Sequence, residues 1–262
     1  MRSEQTILNL ILDTAKQDDR IRAVVMNGSR TNPNVPRDIF QDFDVVYYVT
    51  GVEPFRHNLA WIDRFGERMI LQMPEAMQDP PPLNNGTFNY LMQFMDGSRI
   101  DLTIVPLDKL QELPNDSLSI LLLDKDGLLP PFPPSNDTDY LPKPPAAQLF
   151  ADCCNEFWWL MPNVAKGLWR EEILYARLTL DSHIREQLMK MLIWYVGVNT
   201  QFAVSPGKFG KYLKRYLEPE LWALLEKTYA DANYDHTWEA VFAMCALFRT
   251  TANHVAQHLG VD

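Results

Sequence analysis

Cysteine is scarce in this chain. Its 262 residues hold three, the adjacent Cys153 and Cys154 and the distant Cys245. An odd number without framework spacing excludes a disulfide scaffold and fits a reducing compartment, so the cytoplasm is the expected location. No Cys/His spacing suits a structural zinc site. Long apolar runs are also missing, which leaves nothing to span a bilayer. Glu4 stands where a signal peptide would be basic, and Asp13, Asp18 and Asp19 follow the short apolar run. Cations are in deficit: 24 Lys and Arg against 34 Asp and Glu give a net charge of −10. Such a balance argues against non-specific nucleic-acid binding, which needs a basic surface to release counterions. It suits attraction of a cationic small molecule, or solubility alone. The sequence leaves the oligomeric state open.

What is present is an ordinary globular balance, 47% hydrophobic and 22% charged, in a chain long enough to bury a sizeable core without staples. Ile7, Leu8, Ile11, Leu12 and Ala15 recur at helical spacing and predict a helix over residues 4–17. Strands are expected near 22–26, 43–49, 68–73, 87–95, 99–105 and 120–123, with Asp96-Gly97 as a hairpin turn. Residues 54–65 read as a helix with Phe55, Leu59, Ile62 and Phe65 on one side. Seven prolines between 130 and 145 exclude helix and central strand and mark a stiff connector. Beyond it, helical patterning covers 147–160, 167–180, 182–196, 208–217, 218–230 and 236–258, with Trp222, Leu225, Trp238, Phe242, Cys245 and Phe248 as expected core. The expected fold class is α+β: a mixed sheet with helices over residues 1–130, a Pro-rich connector over 131–145, and an all-α bundle over 146–262.

The chemistry concentrates in two places. Val24-Val25-Met26 runs into Asn27-Gly28-Ser29-Arg30, and a second strand opens with Asp42-Phe43-Asp44. Side chains alternate along a strand, so Asp42 and Asp44 point the same way. Two other Asp-x-Asp pairs, Asp124/Asp126 and Asp137/Asp139, read as a strand-to-turn junction and as solvated connector residues. Asp101 lies in the apolar, β-branched run Arg99-Ile100-Asp101-Leu102-Thr103-Ile104-Val105, where a carboxylate is costly without a cation, a metal or good donors. If that strand pairs beside Asp42 and Asp44, three carboxylates converge and call for a divalent metal. Alternatively Asp101 pairs with Arg99 or another cation.

These elements resemble the nucleotidyltransferase superfamily that includes DNA polymerase β. The similarity is closer still to the aminoglycoside 6-adenylyltransferases, the streptomycin-modifying enzymes. It is carried by Met26-Asn27-Gly28-Ser29-Arg30-Thr31-Asn32-Pro33, Gln41-Asp42-Phe43-Asp44-Val45-Val46-Tyr47 and Asp96-Gly97-Ser98-Arg99-Ile100-Asp101-Leu102-Thr103. In the second half it is carried by Cys153-Cys154-Asn155-Glu156-Phe157-Trp158-Trp159, Val164-Ala165-Lys166-Gly167-Leu168-Trp169-Arg170-Glu171-Glu172 and Gly207-Lys208-Phe209-Gly210-Lys211-Tyr212-Leu213. It implies a polymerase-β-like nucleotidyltransferase domain followed by a helical substrate-binding domain.

The resemblance implies transfer of AMP from ATP to a drug hydroxyl, the 6-hydroxyl of streptomycin, with pyrophosphate released. Asp42, Asp44 and Asp101 would bind Mg²⁺, two ions clamping an in-line displacement. Asp101, or a glutamate of the second half, would serve as base if one is needed. Gly28 and Ser29 would meet the β/γ-phosphates through backbone and hydroxyl donors. Arg30 would add charge there or be a surface arginine. Lys208 and Lys211, at a helix start, would bind phosphate, or form a solvated basic face with Lys214 and Arg215. Streptomycin carries two guanidinium groups, for which Glu156, Trp158, Trp159, Trp169, Glu171, Glu172 and Asp181 are candidates; for the tryptophans the alternative is helix core. His183, between Asp181 and Arg185, reads as a surface or capping residue. Other acceptor hydroxyls, or a nucleotide-binding module without turnover, are the competing functions.

Overall fold

The computed structural model describes residues 1–110 and 116–260. The chain divides into two compact units, Met1–Asp139 and Tyr140–Asp262.

The first unit opens with α1 (Glu4–Gln17). The Ser3 hydroxyl accepts from the Thr6 N–H as N-cap, and Ile7, Ile11 and Ala15 are buried on one face. Six strands follow: β1 (Ile21–Asn27), β2 (Phe43–Val49), β3 (Arg68–Gln72), β4 (Phe88–Phe94), β5 (Arg99–Pro106) and β6 (Ile120–Asp124). They form one mixed sheet in the order β3-β4-β5-β2-β1-β6, in which β2 and β5 run parallel and the other pairs antiparallel. This is the mixed sheet the sequence patterning predicts. Strict alternation explains its two faces. Phe43, Val45 and Tyr47 of β2, Phe88, Tyr90 and Met92 of β4, and Ile100, Leu102 and Ile104 of β5 enter one core with Ile7, Ile11, Phe55 and Ile62. The odd partners, including Asp44 and Asp101, therefore belong to the opposite face. Lower on that face, Ala23, Val25, Tyr48 and Val105 form a small second core covered by Leu129 and Phe132.

Residues 54–65 differ from expectation. A one-turn helix, α2 (Glu53–Arg56), ends at His57, and Leu59–Phe65 continues as a 3₁₀ segment. Asn58 is non-helical between them, so the second piece restarts in a new phase. Trp61 takes a core place, and Leu59 stands 47% exposed.

The Pro-rich stretch is not a free tether. Asp139 accepts from the Ser117 N–H at 2.8 Å and Asp137 from the Asn34 amide at 2.9 Å, so neither carboxylate is merely solvated. Asp126 pairs with Arg22 at 2.6 Å beyond the end of β6.

The second unit is helical: α3 (Ala147–Trp169), α4 (Ile173–Leu178), α5 (Arg185–Asn199), α6 (Pro219–Lys227) and α7 (Tyr234–Leu259). α3 runs straight through the predicted break at 161–166, Pro162 included, and ends where Glu171 adopts φ 59°. A π-helical turn, Thr179–Ile184, joins α4 to α5. Residues 208–217 are not the predicted helix. They form two three-residue 3₁₀ turns, because Gly207, Phe209 and Gly210 all take positive φ. Phe157 and Phe248 stack at 3.7 Å in the core, whereas Phe242, predicted as core, is 65% exposed.

Asp18, just past α1, supplies a test of this packing. Its carboxylate accepts from Arg20 at 2.8 and 2.5 Å and from the Trp61 indole at 3.1 Å. The Arg20 hydrogen bond leads in lowering its pKa to about 2 from 3.8, against the opposing effect of burial. A depressed carboxyl stabilises the fold above its unfolded pKa and loses that contribution as pH falls through the folded value. Asp18→Asn is therefore expected to lower Tm at pH 7, with the deficit shrinking as pH falls from about 4 towards 2. A deficit that is the same at both ends of a pH series of thermal melts would refute the assignment.

Candidate active site

β1 ends at Asn27, and the chain turns through a 3₁₀ segment, Gly28–Arg30. Asn27 is the register partner of Asp44 on β2. Gly28 adopts φ +76°, and a Cβ built there would lie 2.1 Å from Asp44 Oδ2. The turn backbone thus packs directly on the Asp44 carboxylate, and only glycine satisfies both the conformation and the contact. The turn is pinned from several sides. The Gly28 N–H donates to Leu118 O at 3.1 Å, the Thr31 hydroxyl lies 2.6 Å from the same carbonyl, and the Gln41 amide donates to Ser29 O at 3.2 Å.

Arg30 has a role that was not legible in the sequence. It is neither a surface arginine nor turned out with the Ser29 backbone: its side chain is 7% exposed. Nε donates to Asp42 O at 3.1 Å and Nη2 to Gln41 O at 2.7 Å. The guanidinium sits 3.7 Å over the Phe43 ring and pairs with Glu4 at 3.3 Å. Arg30 therefore ties the turn to the start of β2.

Across the parallel pair, Asp44 stands beside Asp101 in register. Arg99, two residues earlier on the same face of β5, forks onto Asp101 with both N–H···O distances 2.7 Å, and its Nε lies 3.6 Å from Asp42. One guanidinium thus serves two of the three carboxylates. Burial raises the Asp42 carboxyl above its usual pKa; Asp101 adds to the rise, while Arg99 and Arg30 oppose it. The donors are hard oxygens, the chemistry that suits Mg²⁺. Among the described residues, no three His, Cys, Asp or Glu side chains form a group that could hold a metal ion. The carboxylates therefore suit Mg²⁺ in donor type and share one sheet face by register, but as placed here they do not close into a metal site. The positive charge beside Asp101 is supplied by the Arg99 fork.

The same sheet face continues into a cavity of about 680 Å³, lined by Asn27, Val46, Tyr48, Asn89, Thr103 and Phe132 among others. Its polar floor is organised: Thr103 Oγ1 donates to Asn89 Oδ1 at 2.6 Å, and Glu75 accepts from Asn89 Nδ2 at 2.6 Å. The Ser119 hydroxyl donates to Asn27 Oδ1 at 2.8 Å. Asn27, Val46 and Thr103 lie within the quoted motifs, but none of these residues was picked out from the sequence as a site residue. The alternation that marks Asp101 marks Thr103 equally, but Glu75 lies outside the strands and gives no such signal.

The remaining candidates belong to the second unit. Glu156 is exposed on α3; Trp158, 37% exposed, packs edge-on to Phe157 with Arg249 5.3 Å from its ring. Trp159 and Trp169 are 72% and 86% exposed, so neither is helix core. Glu171 and Glu172 are exposed after α3. Asp181 is taken up by two guanidinium groups of its own unit, Arg177 at 2.7 Å and Arg185 at 2.8 Å. His183 is exposed, in keeping with a surface position. Lys208 and Lys211 are exposed on 3₁₀ turns, so no helix N-terminus supports them.

Gly28→Ala is expected to cost about 1–3 kcal/mol, from backbone strain and displacement of Asp44. Urea denaturation checks this, and an unchanged midpoint would show that Asp44 yields freely.

Comparison with known proteins gives a consistent set of relatives. A family model described as streptomycin adenylyltransferase matches residues 1–262. An aminoglycoside 6-adenylyltransferase of Campylobacter jejuni is 44% identical over 99% of this chain and 90% of its own length. Proteins of the same description from Bacillus subtilis (strain 168) and Staphylococcus aureus are 41% and 38% identical, over 99% and 98% of this chain and 92% of each relative.

Proposed function

Since this chain belongs to the streptomycin adenylyltransferase family, we propose that it transfers AMP from ATP to a hydroxyl of an aminoglycoside, the 6-hydroxyl of streptomycin first, with Mg²⁺. The observation that carries this is the register of Asp44 beside Asp101, with the Gly28-Ser29 turn packed on Asp44. The relatives' names support the aminoglycoside as acceptor.

In the reaction, the acceptor oxygen attacks the α-phosphorus. A new P–O bond forms, the bond to the β-phosphate oxygen breaks, and pyrophosphate leaves with that electron pair. The hydroxyl proton passes to Asp101 or to water. Asp42, Asp44 and Asp101 would hold Mg²⁺, which when bound neutralises the triphosphate and stabilises charge on the attacking and leaving oxygens. Gly28 lets the phosphates approach the backbone, and Ser29 offers N–H and hydroxyl donors to the β- and γ-phosphates. Arg30 acts on this chemistry indirectly, by fixing the turn against β2. Arg99 keeps the carboxylates tolerable to one another until substrate and cation arrive.

In the second unit, the exposed rings of Trp159 and Trp169, with Glu156 and Glu171, supply the flat faces and carboxylates that recognise guanidinium groups. Trp158 and Asp181 contribute less, being engaged with Arg249 and with Arg177 and Arg185. Lys208 and Lys211 are proposed phosphate ligands.

Pyrophosphate release with MgATP, with and without streptomycin, tests this directly. Streptomycin-dependent release is expected. Asp42→Asn/Asp44→Asn should abolish it, and Gly28→Ala should reduce it at least about 100-fold through misplacement of Asp44. ATP binding without streptomycin-dependent release would overturn the drug assignment and lead to a panel of other aminoglycosides.

A further inference from the structure

The segment that opens the first unit reaches both carboxylate-bearing strands at once. β2 and β5 are parallel neighbours, so they enter the sheet at the same end, and Asp44 and Asp101 stand there in register. Arg2 holds the entry to β5. Its backbone N–H and its Nε donate to Asp96 Oδ2 at 2.7 and 3.1 Å, and Nη2 donates to Ser98 Oγ at 3.0 Å. Nη1 donates to Phe65 O at 2.5 Å, and the guanidinium lies 4.6 Å from the Phe94 ring centre. Asp96 also accepts from the Ser98 N–H and hydroxyl, at 3.1 and 2.6 Å. The hairpin turn is thus tied down immediately before Arg99, which forks onto Asp101.

Glu4 holds the entry to β2. One of its carboxylate oxygens pairs with Arg30 at 3.3 Å and the other with Arg37 at 2.6 Å. The two pairs are unlike. Arg37 is 61% exposed, where an ion pair contributes little. Arg30 is buried; burial works against its charge, and Glu4 is foremost among the groups that favour it. That charge has a task, because the Arg30 guanidinium holds the carbonyls of Gln41 and Asp42. Gln41 in turn donates to Ser29 O, so a displaced Arg30 would release the turn and the start of β2 together.

We propose that Arg2 and Glu4 form a brace that fixes the two strand entries, and that Glu4 is a positioning residue acting through Arg30 on Asp42 and Asp44. Its effect on turnover rests on the adenylyl-transfer reading; the brace itself lies wholly within the first unit. The competing role for Glu4 is stabilisation of α1, whose first turn it occupies and whose dipole favours a carboxylate there.

Steady-state pyrophosphate release and amide hydrogen exchange of the full chain separate these roles. Glu4→Gln is expected to lower kcat about tenfold while KM for streptomycin stays within about twofold. Exchange should quicken at residues 28–31 and 41–44, beyond any change in α1. Glu4→Asp, which keeps the charge, should fall between Glu4→Gln and the unaltered protein in both. Arg37→Ala, which removes only the exposed partner, should leave both unchanged. Faster exchange confined to α1, with a lowered Tm and an unaltered kcat, would overturn the brace and leave Glu4 a helix-stabilising residue. An equal effect of Arg37→Ala would overturn the route through Arg30. Quickened exchange at 28–31 and 41–44 in Glu4→Gln, in a protein that releases no pyrophosphate with any aminoglycoside, would overturn adenylyl transfer and leave the brace standing.

Discussion

Two carboxylates held side by side on adjacent parallel strands repel each other, and the architecture of the first unit is organised around that repulsion. The β2–β5 register leaves Asp44 and Asp101 no freedom to separate along the strands. Arg99 shares one guanidinium between Asp101 and Asp42, and the Gly28 backbone closes on Asp44. Everything that fixes the Gly28 turn, from the Leu118 carbonyl to the buried Arg30, therefore also fixes where negative charge can sit. Gathering negative charge in this way requires cationic neighbours, and Arg99 is the one that the described contacts supply.

Much of this was legible in the sequence because period-two alternation is a strong signal. It separated Phe43, Val45 and Tyr47 from Asp44, and Ile100 and Leu102 from Asp101, and the structure has the same two faces. The Arg99–Asp101 pair was legible for the same reason, as residues i and i+2 on one strand. What escaped was set by tertiary context. Arg30 reads as a polar residue after a turn, and nothing local reveals that the carbonyls of residues 41 and 42 wait for it. Residues 208–217 have helical spacing of apolar and basic side chains, but positive φ at three positions near the start overrides that propensity. Leu59 was misplaced because one non-helical residue, Asn58, resets the phase of all that follows.

In the helical unit the informative residues are those that break the rule of burial. Tryptophan is costly to leave in water, yet Trp159 and Trp169 are largely exposed. Asp181 shows from within the chain how a carboxylate here takes two guanidinium groups at once. The exposed faces of Trp159 and Trp169, with Glu156 and Glu171 nearby in sequence, carry no such internal partner among the ion pairs and ring contacts of the described residues.

The proline-rich stretch has a consequence for dissecting the molecule. Composition alone invites a cut near residue 130. Phe132 covers the lower sheet face, Asn136 donates its N–H to Ser117 O, and Asp137 and Asp139 each accept a hydrogen bond from the sheet unit. A fragment ending at 130 would strip that cover from Val25, Tyr48 and Val105, exposing an apolar patch and inviting aggregation. One ending after Asp139 would keep it. The stiffness of the prolines thus serves as cladding on the sheet as much as spacing along the chain.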